Sequence, residues 1–306
     1  MKTSFMSVAV SRKTLVALTI AFAAIVPKGE AVLYVTDYGN GAVYSYTGGA
    51  GSRTTFANTT GPYRLAVDAS GNVFVGDYSD QAIYKFTPGG AQSTFATGFT
   101  PYGMTFDSNG DLFVVTGSTG AILKFTPGGS QSTFDSPGGY LDSVAFDPSG
   151  NMFVSAYDPT DTFPLIYKYA SGGGQSVFST DMDNIGGLET DAAGNVYMSN
   201  GLGAGNGKVY EYTPTGTRSI YASGFQTPTG LAFDGGGNLY VAEYFNRISV
   251  IPSGGGSFSV FDNTGLSQPH DLAFGPVPEP NSLILLATGL AGLLCRRKRN
   301  TPQRPC

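Results

Sequence analysis

Seven side chains in the body of this chain could converge to do chemistry: Asp37, Asp77, Asp142, Asn200, Glu243, His270 and Asp271. Six of them offer oxygen, the kind of donor ring that a hard divalent cation such as Ca²⁺ takes. His270 is the only histidine, and beside Asp271 it has the makings of a general base. Other chemistries find no support. There is no serine-centred nucleophile elbow and no His-Glu-x-x-His pair. The glycine-rich stretch Gly201-Leu202-Gly203-Ala204-Gly205-Asn206-Gly207 joins two strands and opens no helix, so it lacks the context of a phosphate cradle. Whether the seven meet depends on the elements that carry them.

Those elements repeat. LYVTDY at Leu33, VFVGDY at Val73, LFVVTG at Leu112, MFVSAY at Met152, VYMSNG at Val196 and LYVAEY at Leu239 are six copies of one strand, 39 to 44 residues apart. Five follow a turn of the form DASGN, DSNGD, DPSGN, DAAGN or DGGGN. Each unit reads as four strands: a (such as LAVD), b (LYV-like), c (such as IYKFT) and d (such as STFA). Alternating aromatic and β-branched residues suit a pleated surface, and turns that need positive φ absorb much of the 44 glycines. Four short strands at a period near 40 predict a β-propeller. The fold class is all-β, with six blades. The chain opens on strand b at Val32 and ends on strand a at His270–Phe274, so the two ends share the closing blade and remove free sheet edges. An open solenoid is the alternative.

The a–b and c–d turns are short and alike and belong on one face, the bottom. The b–c and d–a loops vary and belong on the top, where a rigid scaffold usually carries its binding residues. The two long repeats owe their length to residues 157–164 and 200–207. Strand a also starts on the top face, at the central channel. This predicts a mouth lined by Tyr63, Arg64, Tyr102, Asp142 and His270, with Tyr38, Tyr78, Tyr157 and Tyr244 nearby. Tyrosine offers apolar area with a polar tip, which suits sugars and protein surfaces. Equally, a tyrosine recurring after strand b can be scaffold. By the same geometry, Val32 and Pro276 should both lie on the bottom face.

The P-x-G-apolar strand starts, such as Pro228-Thr229-Gly230-Leu231, and the turn–LYV-A/T-D/E-Y units resemble the NHL-repeat family and its relatives, the gluconolactonase-like proteins and the streptogramin lyases. The resemblance covers residues 32–275 and implies the propeller fold. It also implies a divalent cation at the channel mouth, and by residue type and place nominates Asp77, Asn200 and Glu243 as ligands. A mouth histidine in the lyases points to His270, with Asp271, as catalytic candidates. The plain alternative stays open: an acid ending strand b can accept backbone N–H bonds in the next turn.

The ends read differently. Lys2, Arg12 and Lys13 precede the short apolar run Thr14–Val26, and Gly29 and Ala31 supply a small-x-small exit. This is the pattern of a secretory signal peptide over residues 1–31, cleaved after Ala31, with Ala23 and Ala24 as alternatives. The run is shorter than the roughly 18–20 residues that span a bilayer. The propeller is assigned to residues 32–276 and a separate tail to 277–306. In the tail, Val277-Pro278-Glu279-Pro280 leads into a short apolar stretch, Leu283–Leu294, and then Arg296, Arg297, Lys298 and Arg299. The basic end would stay in the cytoplasm. This three-part order resembles the PEP-CTERM sorting signal of bacterial exported proteins. The resemblance implies processing by a membrane exosortase, transient membrane contact through the apolar helix, and delivery to the cell surface or extracellular matrix.

Both cysteines, Cys295 and Cys306, lie in the tail, so the body folds without disulfides. Between Val32 and Pro280 stand 8 basic and 21 acidic residues, a net charge near −13. Nucleic acid, whose phosphates need a basic surface, is excluded as a partner. Two readings follow. The preferred one is a non-catalytic surface or matrix protein that binds a polysaccharide or a protein through its top face and needs no cofactor. The other is a metal-dependent lactonase-like or lyase-like enzyme with its site at the channel mouth. Metal-dependent turnover separates them.

Overall fold

Strand b of each repeat is apolar at consecutive positions, the signature of a strand covered on both faces. In the computed structural model, which describes residues 31–158, 163–201 and 205–276, strand b of the first repeat is buried at all six positions. The sorting tail, the signal peptide other than Ala31, and residues 159–162 and 202–204 of the two long loops lie outside the described residues.

In chain order the strands are β1 (Val32–Asp37), β2 (Ala42–Tyr46), β3 (Thr54–Asn58), β4 (Pro62–Val67), β5 (Val73–Asp77), β6 (Ala82–Phe86), β7 (Gln92–Thr97), β8 (Gly103–Phe106), β9 (Leu112–Val115), β10 (Ile122–Phe125), β11 (Gln131–Asp135) and β12 (Tyr140–Phe146). They continue as β13 (Met152–Tyr157), β14 (Pro164–Tyr169), β15 (Gln175–Ser179), β16 (Leu188–Thr190), β17 (Val196–Ser199), β18 (Gly207–Tyr212), β19 (Arg218–Phe225), β20 (Pro228–Phe233), β21 (Leu239–Glu243), β22 (Arg247–Ile251), β23 (Ser259–Asp262) and β24 (Pro269–Gly275). They form six antiparallel four-stranded sheets. Among the described residues there is no α-helix, only a short 3-10 turn at Ala50–Ser52.

Five sheets are built from consecutive strands, beginning at β4, β8, β12, β16 and β20. The sixth runs β24-β1-β2-β3, joining the last strand to the first. Its seam is registered by Val32 opposite Gly275, Leu33 opposite Phe274 and Val35 opposite Leu272. This is the shared closing blade.

Side chains alternate along a strand, so each b strand feeds two interfaces. Leu33 and Val35 pack toward the blade of β20–β23, against Ala232, Ala242 and Ile248. Val32 and Tyr34 pack the other way, against Leu65, Val73, Val75 and Phe86. Four similar clusters fill the other interfaces, so the apolar core is a ring between blades. Burying a side chain of this size contributes about 1.5–3 kcal/mol. At the bottom of the ring, the aromatic ending strand a packs edge-on against strand b of the preceding blade. Phe106 meets Phe74 at 5.1 Å, Phe146 meets Phe113 at 5.0 Å, Phe233 meets Tyr197 at 4.9 Å and Phe274 meets Tyr240 at 5.1 Å. In β16, Thr190 takes this place and donates its hydroxyl to the carbonyl of Phe146 at 2.7 Å.

The five repeated a–b turns close alike. Asp68 Oδ1 accepts from the amides of Ser70 and Asn72 at 2.9 and 2.8 Å, and Oδ2 accepts from Asn72 Nδ2 at 2.7 Å. Gly71 sits at φ +79°, which a side chain would resist. Gly110, Gly150, Gly194 and Gly237 repeat it.

Candidate functional site

Strand a of each blade is innermost, and its starts form the channel mouth. Arg64, Gly103, Ser143, Gly187, Gly230 and Asp271 make one layer. The glycines are there because neighbouring strands approach too closely for a Cβ. One added at Gly103 would lie 2.7 Å from Ser143 Cα, and one at Gly230 would lie 2.5 Å from Asp271 Oδ1.

Arg64 crosses this layer. Its Nη2 donates to Asp142 Oδ1 at 3.1 Å and its Nε donates to the carbonyl of Tyr102, so one buried side chain ties three successive blades. Burial works against the guanidinium charge, but Asp142 and Asp271 outweigh it and raise the Arg64 pKa.

Above Arg64 lies an arc of rings. His270 stacks on Tyr63 with centroids 3.7 Å apart. Tyr63 contacts Tyr38, Tyr78 and Tyr102 at 6.1, 5.5 and 5.7 Å, and Tyr102 contacts Tyr140 at 5.0 Å. On the other side Tyr244 lies 6.5 Å from His270 and 5.4 Å from Phe245. Tyr78 is 40% exposed and Phe245 53%, while Tyr38, Tyr63, Tyr102, Tyr140 and Tyr244 are half-buried. Burial raises the pKa of Tyr63, Tyr102 and Tyr140, so these phenols stay neutral. Arg64 also lies over the ring of Tyr63, 5.2 Å from its centroid.

Tyr63, Arg64, Tyr102, Asp142 and His270 are thus brought together at the mouth. Tyr157 stands opposite Tyr140 across β12 and β13, its hydroxyl donating to Asn184 Oδ1. His270 and Asp271 diverge, as successive strand residues must. His270 is 5% exposed and its Nδ1 has no partner. Burial and then Arg64 push its pKa well below the usual value, so the ring is neutral at pH 7. Asp271 turns into the channel, where it accepts from the amide of Leu65 at 3.0 Å. Burial pushes its carboxyl up to about 6, against the pull of Arg64.

The metal candidates are distributed differently. Asp77 and Glu243 end β5 and β21, Asn200 follows the end of β17 in a third blade, and all are buried. Asp77 accepts from the amides of Gly61 and Asp80, both at 2.8 Å. Asn200 Oδ1 accepts from the amide of Lys208 at 2.8 Å. Glu243 accepts from the amide of Gln226 and from Arg247 and Ser249. Asp37 follows suit with the amides of Ser267 and Gln268, both at 2.9 Å. These side chains clip loops. Among the described residues no three His, Cys, Asp or Glu side chains form a group able to hold a metal ion.

Beneath the layer the channel holds a cavity of about 250 Å³. Glu189 faces it from a position where the other blades carry Ala66, Thr105, Ala145, Ala232 and Ala273. Burial, reinforced by Asp271, pushes the Glu189 carboxyl up to about 8. Neither Glu189 nor Tyr140 was singled out from sequence. Glu189 was visible as the single LETD among LAVD-like strands.

Comparison with known proteins bears on the two parts separately. Residues 276–299 match the PEP-CTERM protein-sorting motif. No curated protein matches the chain in sequence. Among solved structures, the body resembles a chain of the nidogen/laminin complex (TM-score 0.70, 17% identity, covering 80% of this chain and 98% of that one). It resembles a gluconolactonase from Xanthomonas campestris (0.63, 15%, 81% and 91%) and virginiamycin B lyase from Staphylococcus aureus (0.57, 16%, 80% and 88%). At these identities the likeness establishes the fold. The chain is a six-bladed β-propeller followed by a PEP-CTERM sorting motif, which implies recognition by an exosortase-type processing enzyme and sorting to the surface or exterior of a bacterial cell.

Proposed function

We propose that this is a non-catalytic binding propeller of the bacterial surface or extracellular matrix, which holds a polysaccharide on its top face. The observation that carries the reading is the arc of rings from Phe245 through Tyr244, His270, Tyr63, Tyr78 and Tyr102 to Tyr140. Neutral phenols present apolar faces for pyranose rings and hydroxyls that both donate and accept. Sorting by the tail would deliver the body to where such polymers are. Binding needs no metal in this reading, in keeping with the occupied oxygens of Asp77, Asn200 and Glu243.

The second reading, a metal-dependent lactonase-like or lyase-like enzyme, draws on the fold likeness and on the neutral imidazole of His270. It would require His270 to leave its stack on Tyr63. Co-sedimentation with extracellular polysaccharide from the host, with and without chelator, tests the proposal. Chelator-insensitive retention is expected. Retention of protein ligands alone, or Ca²⁺-dependent turnover of a lactone, would replace it.

A further inference from the structure

The sorting motif begins where the propeller ends. β24 runs to Gly275, which pairs with Val32, and the matched motif starts at the next residue, Pro276. Pro276 lies on the bottom face, over the turn between β4 and β5. A Cβ built on Gly71 would sit 3.7 Å from Pro276 Cγ and 3.4 Å from Pro88 Cγ. A chain advances at most about 3.3–3.6 Å per residue, so the three steps that separate Glu279 from Pro276 in sequence can reach no more than about 11 Å. The strand lends no slack. β24 is registered against β1 along its length, and Leu272 is buried between blades.

An enzyme that reads Pro278-Glu279-Pro280 must therefore come up against the underside of the propeller. The surface there allows it. Ala69, Ser70, Thr87, Pro88 and Gly89 are exposed, small and uncharged. The nearby acid Asp68 spends its carboxylate on its own turn.

We propose that this patch, at the seam between the closing blade and the blade of β4–β7, is the docking surface for the exosortase-type processing enzyme. The enzyme acts on the folded propeller, bottom face inward. The inference rests on the sorting reading of the tail.

Full-length chain carrying Cys295→Ser and Cys306→Ser is given one new cysteine, either Ser70→Cys on the bottom turn or Ser118→Cys on the exposed top turn after β9. Each is biotinylated, loaded with streptavidin, and incubated with membranes from an exosortase-bearing bacterium. Release of the body is followed by mass. Streptavidin at position 70 should slow processing about tenfold or more, because a tether that cannot span the gap has almost no effective concentration. Streptavidin at position 118 should leave processing within about twofold of the unloaded chain, and the block at 70 should persist when a flexible spacer of about twelve residues is placed between Gly275 and Pro276, because the spacer frees the motif and leaves the patch covered. Equal rates for the two loaded chains, or a block that the spacer relieves, would overturn the docking surface. A parent chain, with Cys295 and Cys306 in place, that stays unprocessed would remove the sorting reading itself.

Discussion

Arg64 Nη2 and Asp142 Oδ1 meet at 3.1 Å across the channel mouth, although their strands, β4 and β12, belong to blades separated by a third. The pair passes over Tyr102, whose carbonyl takes the Nε proton. Three inner strands are thereby fixed relative to one another, directly beneath the tyrosine arc.

Breaking that pair from one side should be costly. Arg64→Met leaves Asp142 facing a desolvated site, and Asp142→Asn leaves the guanidinium with the charge of Asp271 but no paired carboxylate. Either is expected to lose about 3–5 kcal/mol, whereas the double variant Arg64→Met/Asp142→Asn should lose clearly less than the sum. Denaturant unfolding of the four proteins checks this.

Glu189 gives the channel a pH signature. Its folded pKa of about 8 lies above the 4.5 of an ordinary glutamate. Below pH 4.5 the acid is protonated in both states, and its full contribution is present. As pH rises toward 8 the unfolded chain ionises first, and that contribution is lost. Asp271, raised to about 6, adds to the trend. His270, whose pKa is lowered, opposes it by losing stability as pH falls below 6.5. Glu189→Gln isolates the first effect. The variant should match the parent near pH 4 and exceed it by on the order of 2 kcal/mol above pH 8, tempered by room for water in the channel. Thermal melts at pH 4, 6 and 8.5 report it.

The clips at the ends of strand b make a third case. Asp77→Ala strands the amides of Gly61 and Asp80 and should cost about 1–3 kcal/mol. Added Ca²⁺ should leave the melting midpoint of the parent unchanged, since only a ligand that prefers the native state moves it. A saturable rise in the midpoint, abolished in Asp77→Ala, would restore the metal reading.

Much of the fold was legible because two periods coincide: alternation within strands and a repeat near 40 residues. The closing blade followed from which strand type stood at each end. The mouth was legible in part. Tyr63, Arg64, Tyr102, Asp142 and His270 could be placed because each stands at a strand start. Tyr140 could not, because its place in the repeat holds Gly61, Thr100, Thr227 and Gln268 in other blades, so no recurring aromatic marks it. The carboxylates were ambiguous for a different reason. A loop clip and a metal ligand need the same residue type, and only the partner decides. The partner of Asp37 is an amide 231 residues away, at Gln268.

The central claim is that the tyrosine arc is the binding surface. The most direct measurement is the affinity of host extracellular polysaccharide for the parent protein and for Tyr78→Ala, whose ring is exposed enough to be removed without disturbing the fold. The prediction is a loss of about tenfold or more, in line with truncating an aromatic anchor, at unchanged melting temperature. Equal affinity for the two proteins, or no binding by the parent, would contradict it.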